Sequence, residues 1–207
     1  MATTLAPSDT VAIVGSGAMG AGIAQVAAAA GHPVLLYDTR PEAVETALGN
    51  LRKTFQMLAD KGRMTAEAAT AAAGRLHAAA SIAELAAARL VVEAIVENLD
   101  VKRGLFAELE QVVGADCILA TNTSSISVTA LAAKLRVPGR LVGMHFFNPV
   151  PLMALVEVIS GLATDSEVAQ CVYATAAAWG KSPVYAKSTP GFIVNRVARP
   201  YYAEGLR

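Results

Sequence analysis

An α/β fold with a doubly wound, mostly parallel sheet is predicted by three observations. Short apolar runs alternate with helical stretches from Val11 to about Phe147, an order that places parallel strands between two layers of helices. A glycine turn, Gly15-Ser16-Gly17-Ala18-Met19-Gly20, joins the first apolar run to the first helical stretch. Past Pro149 the pattern changes. Met153 to Ile159 follows the previous strand by a loop too short for a crossover helix, so an added C-terminal antiparallel strand is expected.

In chain order, Val11-Ala12-Ile13-Val14 reads as a buried strand and Ala21 to Val26 as the helix after the turn. Val34-Leu35-Leu36-Tyr37 is the second strand and ends in Asp38. Pro41 opens a helix running to about Asp60, with proline at an early position where its missing N–H costs nothing. Thr65 to Ala73 is a further helix stopped by Gly74. Leu90-Val91-Val92 is a short strand. Asn98 then caps a helix whose apolar residues Leu105, Phe106, Leu109 and Val112 share a face, ended by Gly114. Cys117 to Ala120 is the next strand, followed by a helix to about Leu135 and a strand from Leu141 to Phe147. After the antiparallel strand, Asp165 to Trp179 is helical and Pro183 to Lys187 is one more strand. Pro190-Gly191 opens a last helix, from Phe192 to the neighbourhood of Arg207. The expected organisation is a dinucleotide-binding domain over 1–189, with 190–207 as the first helix of a further all-α domain.

Composition narrows the function classes. The 207 residues carry 17 basic and 17 acidic side chains, so no electrostatic footprint for nucleic acid or an anionic membrane is present. Val11 to Tyr37 is nearly uncharged, but its glycines and Pro33 cut it into strand, helix and strand rather than a membrane span. No signal-peptide pattern precedes the first strand. Cys117 and Cys171 are widely spaced, without metal-ligand pattern, and read as buried inert thiols. A cytoplasmic setting and no metal are the expectations. His32 and His77, with no partner evident, read as surface residues.

The glycine turn has the G-x-G-x-x-G form in its required place between strand and helix. Gly15 permits the tight turn, Gly17 lets the backbone approach a pyrophosphate, and Gly20 lets the helix pack on the strand. Ala18 and Met19 complete the turn. The helix offers its unpaired N–H groups and positive dipole end to the phosphates. Asp38 stands about 20 residues on, where an acid binds the ribose 2′-OH. This is the fingerprint of a Rossmann dinucleotide site.

His145 lies near the end of an apolar strand, and Glu157 lies inside another, where an unpaired carboxylate is costly. A hairpin centred near Pro151 sets positions 145 and 157 opposite each other, side chains on one face. A carboxylate behind an imidazole fixes its tautomer and stabilises the imidazolium formed on accepting a proton. A structural ion pair is the plainer reading. Ser124 divides evenly between helix N-cap and substrate contact. Asn148, before Pro149, shapes a turn, and Asn195 is a polar helix residue without further role on spacing alone.

Together the blocks GSGAMGAGIA at 15–24, ENLDVK at 97–102, NTSS at 122–125, HFFNPVPLMALVEV at 145–158 and TPGFIVNR at 189–196 resemble the 3-hydroxyacyl-CoA dehydrogenase family, in family order over nearly the whole chain. The resemblance implies NAD as cofactor and an acyl-CoA thioester as substrate. His145 would be the general base for the 3-hydroxyl proton, supported by Glu157. Ser124 and Asn195 would hold the substrate oxygen. Asp38 would bind the adenosine ribose, Glu97 and Lys102 would lie by the nicotinamide half, and Asn122, Ser124 and Asn148 would border the cofactor. An acid at 38 disfavours a 2′-phosphate. The family continues into a helical domain that supports homodimers. The segments SGLATD and RVARPYYAEGLR look like the longer bacterial members associated with phenylacetate breakdown, which implies a 3-hydroxyadipyl-CoA type substrate within aromatic or fatty-acid degradation (β-oxidation). Alternatives are a 3-hydroxybutyryl-CoA substrate, a sugar-acid dehydrogenase keeping the His/Glu pair, the β-hydroxyacid dehydrogenases with their catalytic lysine, and a non-catalytic NAD-binding protein.

Overall fold

The computed structural model describes residues 4–205; residues 1–3 of the expected polar lead-in and 206–207, to which the last helix was expected to run, lie outside the described residues. The central strands β1 (Val11–Val14), β4 (Leu90–Glu93) and β5 (Ile118–Thr121) are buried at every position, as strands covered on both faces must be. Around them the sheet has eight strands in the order β3-β2-β1-β4-β5-β6-β7-β8. The others are β2 (Val34–Tyr37), β3 (Leu76–Ala78), β6 (Leu141–Phe146), β7 (Leu155–Ser160) and β8 (Ser182–Lys187). Every neighbouring pair is parallel except β6 and β7. The strand order turns outward in both directions from β1 and β4, so the crevice between their carboxyl ends is the switch point where ligands bind in such sheets.

Helices α1 (Ala18–Ala29), α2 (Pro41–Asp60), α3 (Ala66–Gly74) and α6 (Ser166–Ala178) contribute to the core on one face of the sheet, through Ile23, Leu48, Phe55, Ala72 and Val172. The other face is covered by α4 (Leu99–Val112) and α5 (Val128–Ala132), through Phe106, Leu109 and Leu131. Helix α2 buries Val44, Ala47, Leu48, Leu51 and Phe55, the stripe a 3.6-residue repeat produces. The last helix, α7 (Val194–Gly205), contains Pro200 and buries none of its side chains. No helix among the described residues is long and apolar enough to cross a membrane.

Four local expectations are corrected. The helix expected to reach Leu135 ends at Ala132, because the amides of Arg136 and Val137 donate to the Glu110 carboxylate and Pro138 follows. Ser124 is not the cap of that helix: Ser127 is, accepting from the Ala130 amide at 3.2 Å. His32 is buried rather than exposed, its ring edge-on to Trp179 and its Nδ1 3.0 Å from the Asp9 carbonyl oxygen. Burial holds its imidazole below the ordinary histidine range against the pull of that carbonyl. Strand β3 was not expected; three residues at a sheet edge are too few to show a period of two. His77 is exposed and both cysteines are buried, as expected.

Phe55 fills the layer between α2 and the sheet, and Phe55→Ala removes a fully buried ring. The expected cost is about 3–5 kcal/mol, read as a lowered urea midpoint; a shift under about 1 kcal/mol would show that the helix repacks.

Candidate functional site

The glycine turn is dictated by sterics on two of its three glycines. Gly15 has φ +107°, and a Cβ there would lie 2.5 Å from the Ala94 carbonyl oxygen of the segment after β4. A Cβ on Gly20 would overlap the carbonyl of Gly15, so α1 can approach β1 only without a side chain. Gly17 differs. It is the N-cap of α1, and a Cβ there would meet no protein atom within 4 Å. The first-turn amides therefore face an opening at the helix's positive end, with no capping side chain in front of them, which is the cradle a pyrophosphate needs. A dinucleotide fits the residues present.

Asp38, at the tip of β2, turns back to this loop. Its Oδ2 accepts from the Ser16 amide at 2.9 Å and the Ser16 hydroxyl at 2.8 Å, and its Oδ1 from the Arg40 amide at 3.1 Å. Burial pushes its carboxyl up, but these donors and the Arg40 guanidinium outweigh it and hold Asp38 below the ordinary carboxylate range. A cavity of about 240 Å³ opens beside it between Tyr37, Ile82, Ile95, Val101 and Leu105, an apolar slot of the kind that accepts a flat aromatic base.

On the other side of the switch point a cavity of about 410 Å³ gathers Met19, Glu97, Lys102, Asn122, Ser124, His145, Asn148 and Asn195. These eight predicted residues come from seven separate elements and loops. Glu157 stands behind the cavity wall, and Gly15, Gly17, Ala18, Gly20 and Asp38 lie along the nucleotide side.

His145 and Glu157 are register partners across β6 and β7. The antiparallel register puts both side chains on one face, and His145 Nδ1 is 2.7 Å from Glu157 Oε2. Glu157 is 0% exposed. Its Oε1 accepts the backbone N–H groups of Ile193 and Val194 at 2.8 and 2.9 Å, the residue before α7 and the first residue of it. Phe147 and Phe192 flank the imidazole, with ring centroids 4.5 and 5.9 Å away. Phe192 adopts φ +50°, a left-handed conformation held by its buried ring. The imidazole is thus fixed by a carboxylate on Nδ1, leaving Nε2 as the atom free to exchange a proton.

Ser124 is held through its backbone from two sides: its N–H donates to Glu97 at 3.0 Å, and its carbonyl accepts from Asn195 Nδ2 at 3.1 Å. Among the described residues its hydroxyl has no partner, and it lines the cavity with His145. Asn122 uses its side-chain oxygen to accept the Phe146 amide at 2.9 Å, tying the tip of β5 to that of β6. The Asn148–Pro149 peptide is cis.

The sequence reading missed Glu93. It ends β4, is 0% exposed, and contacts Lys102 Nζ at 2.5 Å through Oε1 while Thr121 donates to Oε2 at 2.7 Å. Lys102, only 1% exposed, also reaches Glu97 at 3.1 Å. Glu97 in turn receives the hydroxyls of Thr123 and Ser125 as well as the Ser124 amide. Burial raises the Glu97 carboxyl, but the Thr123 hydroxyl, Lys102 and the Ser124 amide together bring it below its ordinary range. A carboxylate at the end of an apolar strand was the available signal; its partner nine residues later on α4 was visible only in three dimensions. Arg199, the one liner of this cavity on α7 beyond Asn195, was also missed. Among the described residues no group of His, Cys, Asp or Glu could hold a metal ion.

Comparison with known proteins agrees with this geometry. The chain is 52% identical over 199 residues to 3-hydroxyadipyl-CoA dehydrogenase of Escherichia coli K12, covering 96% of this chain and 42% of that protein. It is 44% identical to a probable 3-hydroxybutyryl-CoA dehydrogenase of Deinococcus radiodurans, over 94% of this chain and 70% of the relative. A crystal structure of 3-hydroxybutyryl-CoA dehydrogenase from E. coli K12 superposes with a TM-score of 0.93 at 52% identity, covering 95% of this chain and 42% of that one. The chain thus spans less than half the length of two of these three. Residues 10–189 match the family described as 3-hydroxyacyl-CoA dehydrogenase, NAD binding domain. With the glycine cradle, the acid at 38 and the switch-point crevice in place, the chain belongs to the NAD-binding domain of the 3-hydroxyacyl-CoA dehydrogenases.

Proposed function

We propose that this chain carries the cofactor site and the proton-transfer machinery of an NAD-dependent dehydrogenase that oxidises (3S)-3-hydroxyacyl-CoA to 3-oxoacyl-CoA. The observation that carries the reading is the buried His145–Glu157 pair, whose imidazole shares one cavity with Ser124 and Asn195 beside the dinucleotide crevice. NAD, when bound, supplies the acceptor for the hydride leaving C3. His145 Nε2 takes the proton of the 3-hydroxyl as that hydride departs, and the Glu157 carboxylate stabilises the imidazolium so formed. The Ser124 hydroxyl and the Asn195 amide hold the substrate oxygen. Asp38 accepts from the adenosine ribose, and Glu97 and Lys102 border the nicotinamide half with Asn122 and Asn148. The family match ending at residue 189 supports a division into a dinucleotide-binding domain over 1–189 and a helical part beginning at 190. In the same reading that helical part carries the homodimer contacts of the family.

The acyl group is either a dicarboxylic chain of the adipyl kind or a short butyryl chain. The 52% identical relative supports the first by its name, and the Deinococcus relative and the crystallised E. coli enzyme support the second by theirs. Phenylacetate breakdown is the setting the first implies, and fatty-acid oxidation the second.

Oxidation of NADH with acetoacetyl-CoA and with a 3-oxodicarboxyl-CoA tests the reading. His145→Gln is expected to lower turnover by about 10²–10⁴-fold with NADH affinity retained; loss of NADH binding instead would make His145 structural, and activity on a sugar acid alone would overturn the reading.

Asp38→Ala is expected to weaken NAD and to narrow its preference over NADP, since the carboxylate repels a 2′-phosphate; an unchanged preference removes Asp38 from the ribose. Acid gives a second check. A carboxyl held below its ordinary range contributes in full above that range and loses the contribution as pH falls through the depressed value. The stability difference between the parent and Asp38→Asn is therefore expected to be constant from neutral pH down to about pH 4 and to shrink below it, read from urea midpoints. A difference already shrinking at pH 6 would contradict the hydrogen-bonding pattern.

A further inference from the structure

Arg199 is the charged group of the reaction cavity that no step above uses. It stands four residues after Asn195 on α7, so the two share a helix face one turn apart, about 6 Å along the axis. Both line the cavity that holds His145 and Ser124. No packing role accounts for a guanidinium here, because Arg199 is exposed and α7 buries none of its side chains.

The carboxylates around the cavity are already engaged. Glu93 holds Lys102, Thr121 and the Ile95 amide. Glu97 holds Lys102, Thr123, Ser125 and the Ser124 amide. Glu157 holds His145 and the amides of Ile193 and Val194. Lys102 is thereby balanced, whereas Arg199 forms none of the ion pairs found among the described residues. A planar cation beside the reacting groups, without an ion-pair partner among the described residues, is a receptor for a ligand anion, and its fork matches a carboxylate.

Three anions could meet it, and position separates them. The dinucleotide's pyrophosphate belongs at the α1 N-terminus, where Gly17 leaves the opening. The phosphates of CoA are separated from the thioester by the whole pantetheine arm, too far for a group one helical turn from the residue that holds the C3 oxygen. An anion at the far end of a short acyl chain is different: a short saturated spacer and a carboxylate span about the same 6 Å as that turn.

We propose that Arg199 is a specificity-determining residue that receives a terminal carboxylate on the acyl chain, so that the site selects monothioesters of dicarboxylic acids over plain fatty acyl thioesters. The assignment rests on the dehydrogenase reading above and adds to it the residue that reads the tail.

The test compares 3-oxoadipyl-CoA with 3-oxohexanoyl-CoA, which have the same chain length and the same CoA phosphates and differ in the terminal carboxylate. NADH oxidation is followed with the protein at its natural full length, and the readout is the ratio of kcat/KM for the two. The parent is expected to favour 3-oxoadipyl-CoA, and Arg199→Leu to lower that ratio by about ten- to a hundredfold, with Arg199→Lys in between. An unmoved ratio, with both substrates slowed alike, would show that the guanidinium meets something they share, such as a phosphate, and overturns the proposal. A parent enzyme that reduces 3-oxohexanoyl-CoA as well as 3-oxoadipyl-CoA overturns it too and leaves the dehydrogenase reading standing. A parent that binds NADH and reduces neither thioester overturns both.

Discussion

A carboxylate with no access to water must find all its partners within the protein, and Glu157 is where this chain meets that demand. Desolvating such a group costs several kcal/mol even after relaxation, so its surroundings are specified as strictly as a core contact. One oxygen takes His145 on β6 and the other takes the amides of Ile193 and Val194, where α7 begins. The register of the one antiparallel pair follows, because a slip by one residue would turn the carboxylate to the opposite face and strand it there. The position of α7 follows as well. A negative charge at a helix N-terminus is favourable in itself, and here it fastens to the sheet a helix that buries none of its own side chains. Asn195 enters the cavity as the residue after those amides, and its side chain completes the hold on Ser124. One buried charge therefore sets the His145 imidazole, its tautomer and the residues facing it.

A second set of buried charges organises the opposite wall. Lys102 lies between Glu93 and Glu97, and the hydroxyls of Thr121, Thr123 and Ser125 fill the acceptor positions that remain. This network fixes the ends of β4 and β5 relative to each other and ties down the 122–125 loop. The two networks meet at Ser124: Glu97 holds its N–H and Asn195 its carbonyl. Its hydroxyl is the part of the residue left to a ligand. Clamping the backbone on both sides positions that hydroxyl without consuming it, which is what preorganisation of a small polar contact requires.

How much of this was legible in the sequence depended on whether the constraint was local. The glycine turn was legible because its spacing lies within one strand–turn–helix unit, where Gly20 must clear the Gly15 carbonyl; the Ala94 carbonyl that excludes a side chain at Gly15 comes from the segment after β4. Helix α2 was legible from Pro41 at its start, and the His145–Glu157 pairing from the symmetry of a hairpin. The place of Ser124 was not legible, since Glu97, which receives its amide and the Thr123 hydroxyl, comes from another part of the chain, and Ser127 takes the cap instead. His32 looked exposed because Trp179, which covers it, is distant in sequence. Glu93 and Arg199 escaped for the same reason. A carboxylate at a strand end and an arginine on a polar helix are ordinary until their neighbours are known.

The two halves of the site are built with different tolerance for change. On the nucleotide side a side chain at Gly15 or Gly20 collides with backbone, so that half accepts almost no variation. His145 and Glu157 are likewise buried, each a partner the other cannot lose without leaving a desolvated polar group behind. Helix α7 past Asn195 is the opposite case. Its side chains face the cavity or the outside, none is part of the core, and its attachment to the sheet is through backbone amides at its start. A substitution there changes what the cavity presents to a ligand without disturbing either charge network. The cavity wall is accordingly open to change at small cost in stability along α7, and closed to it at the glycine turn and at the buried His145–Glu157 pair.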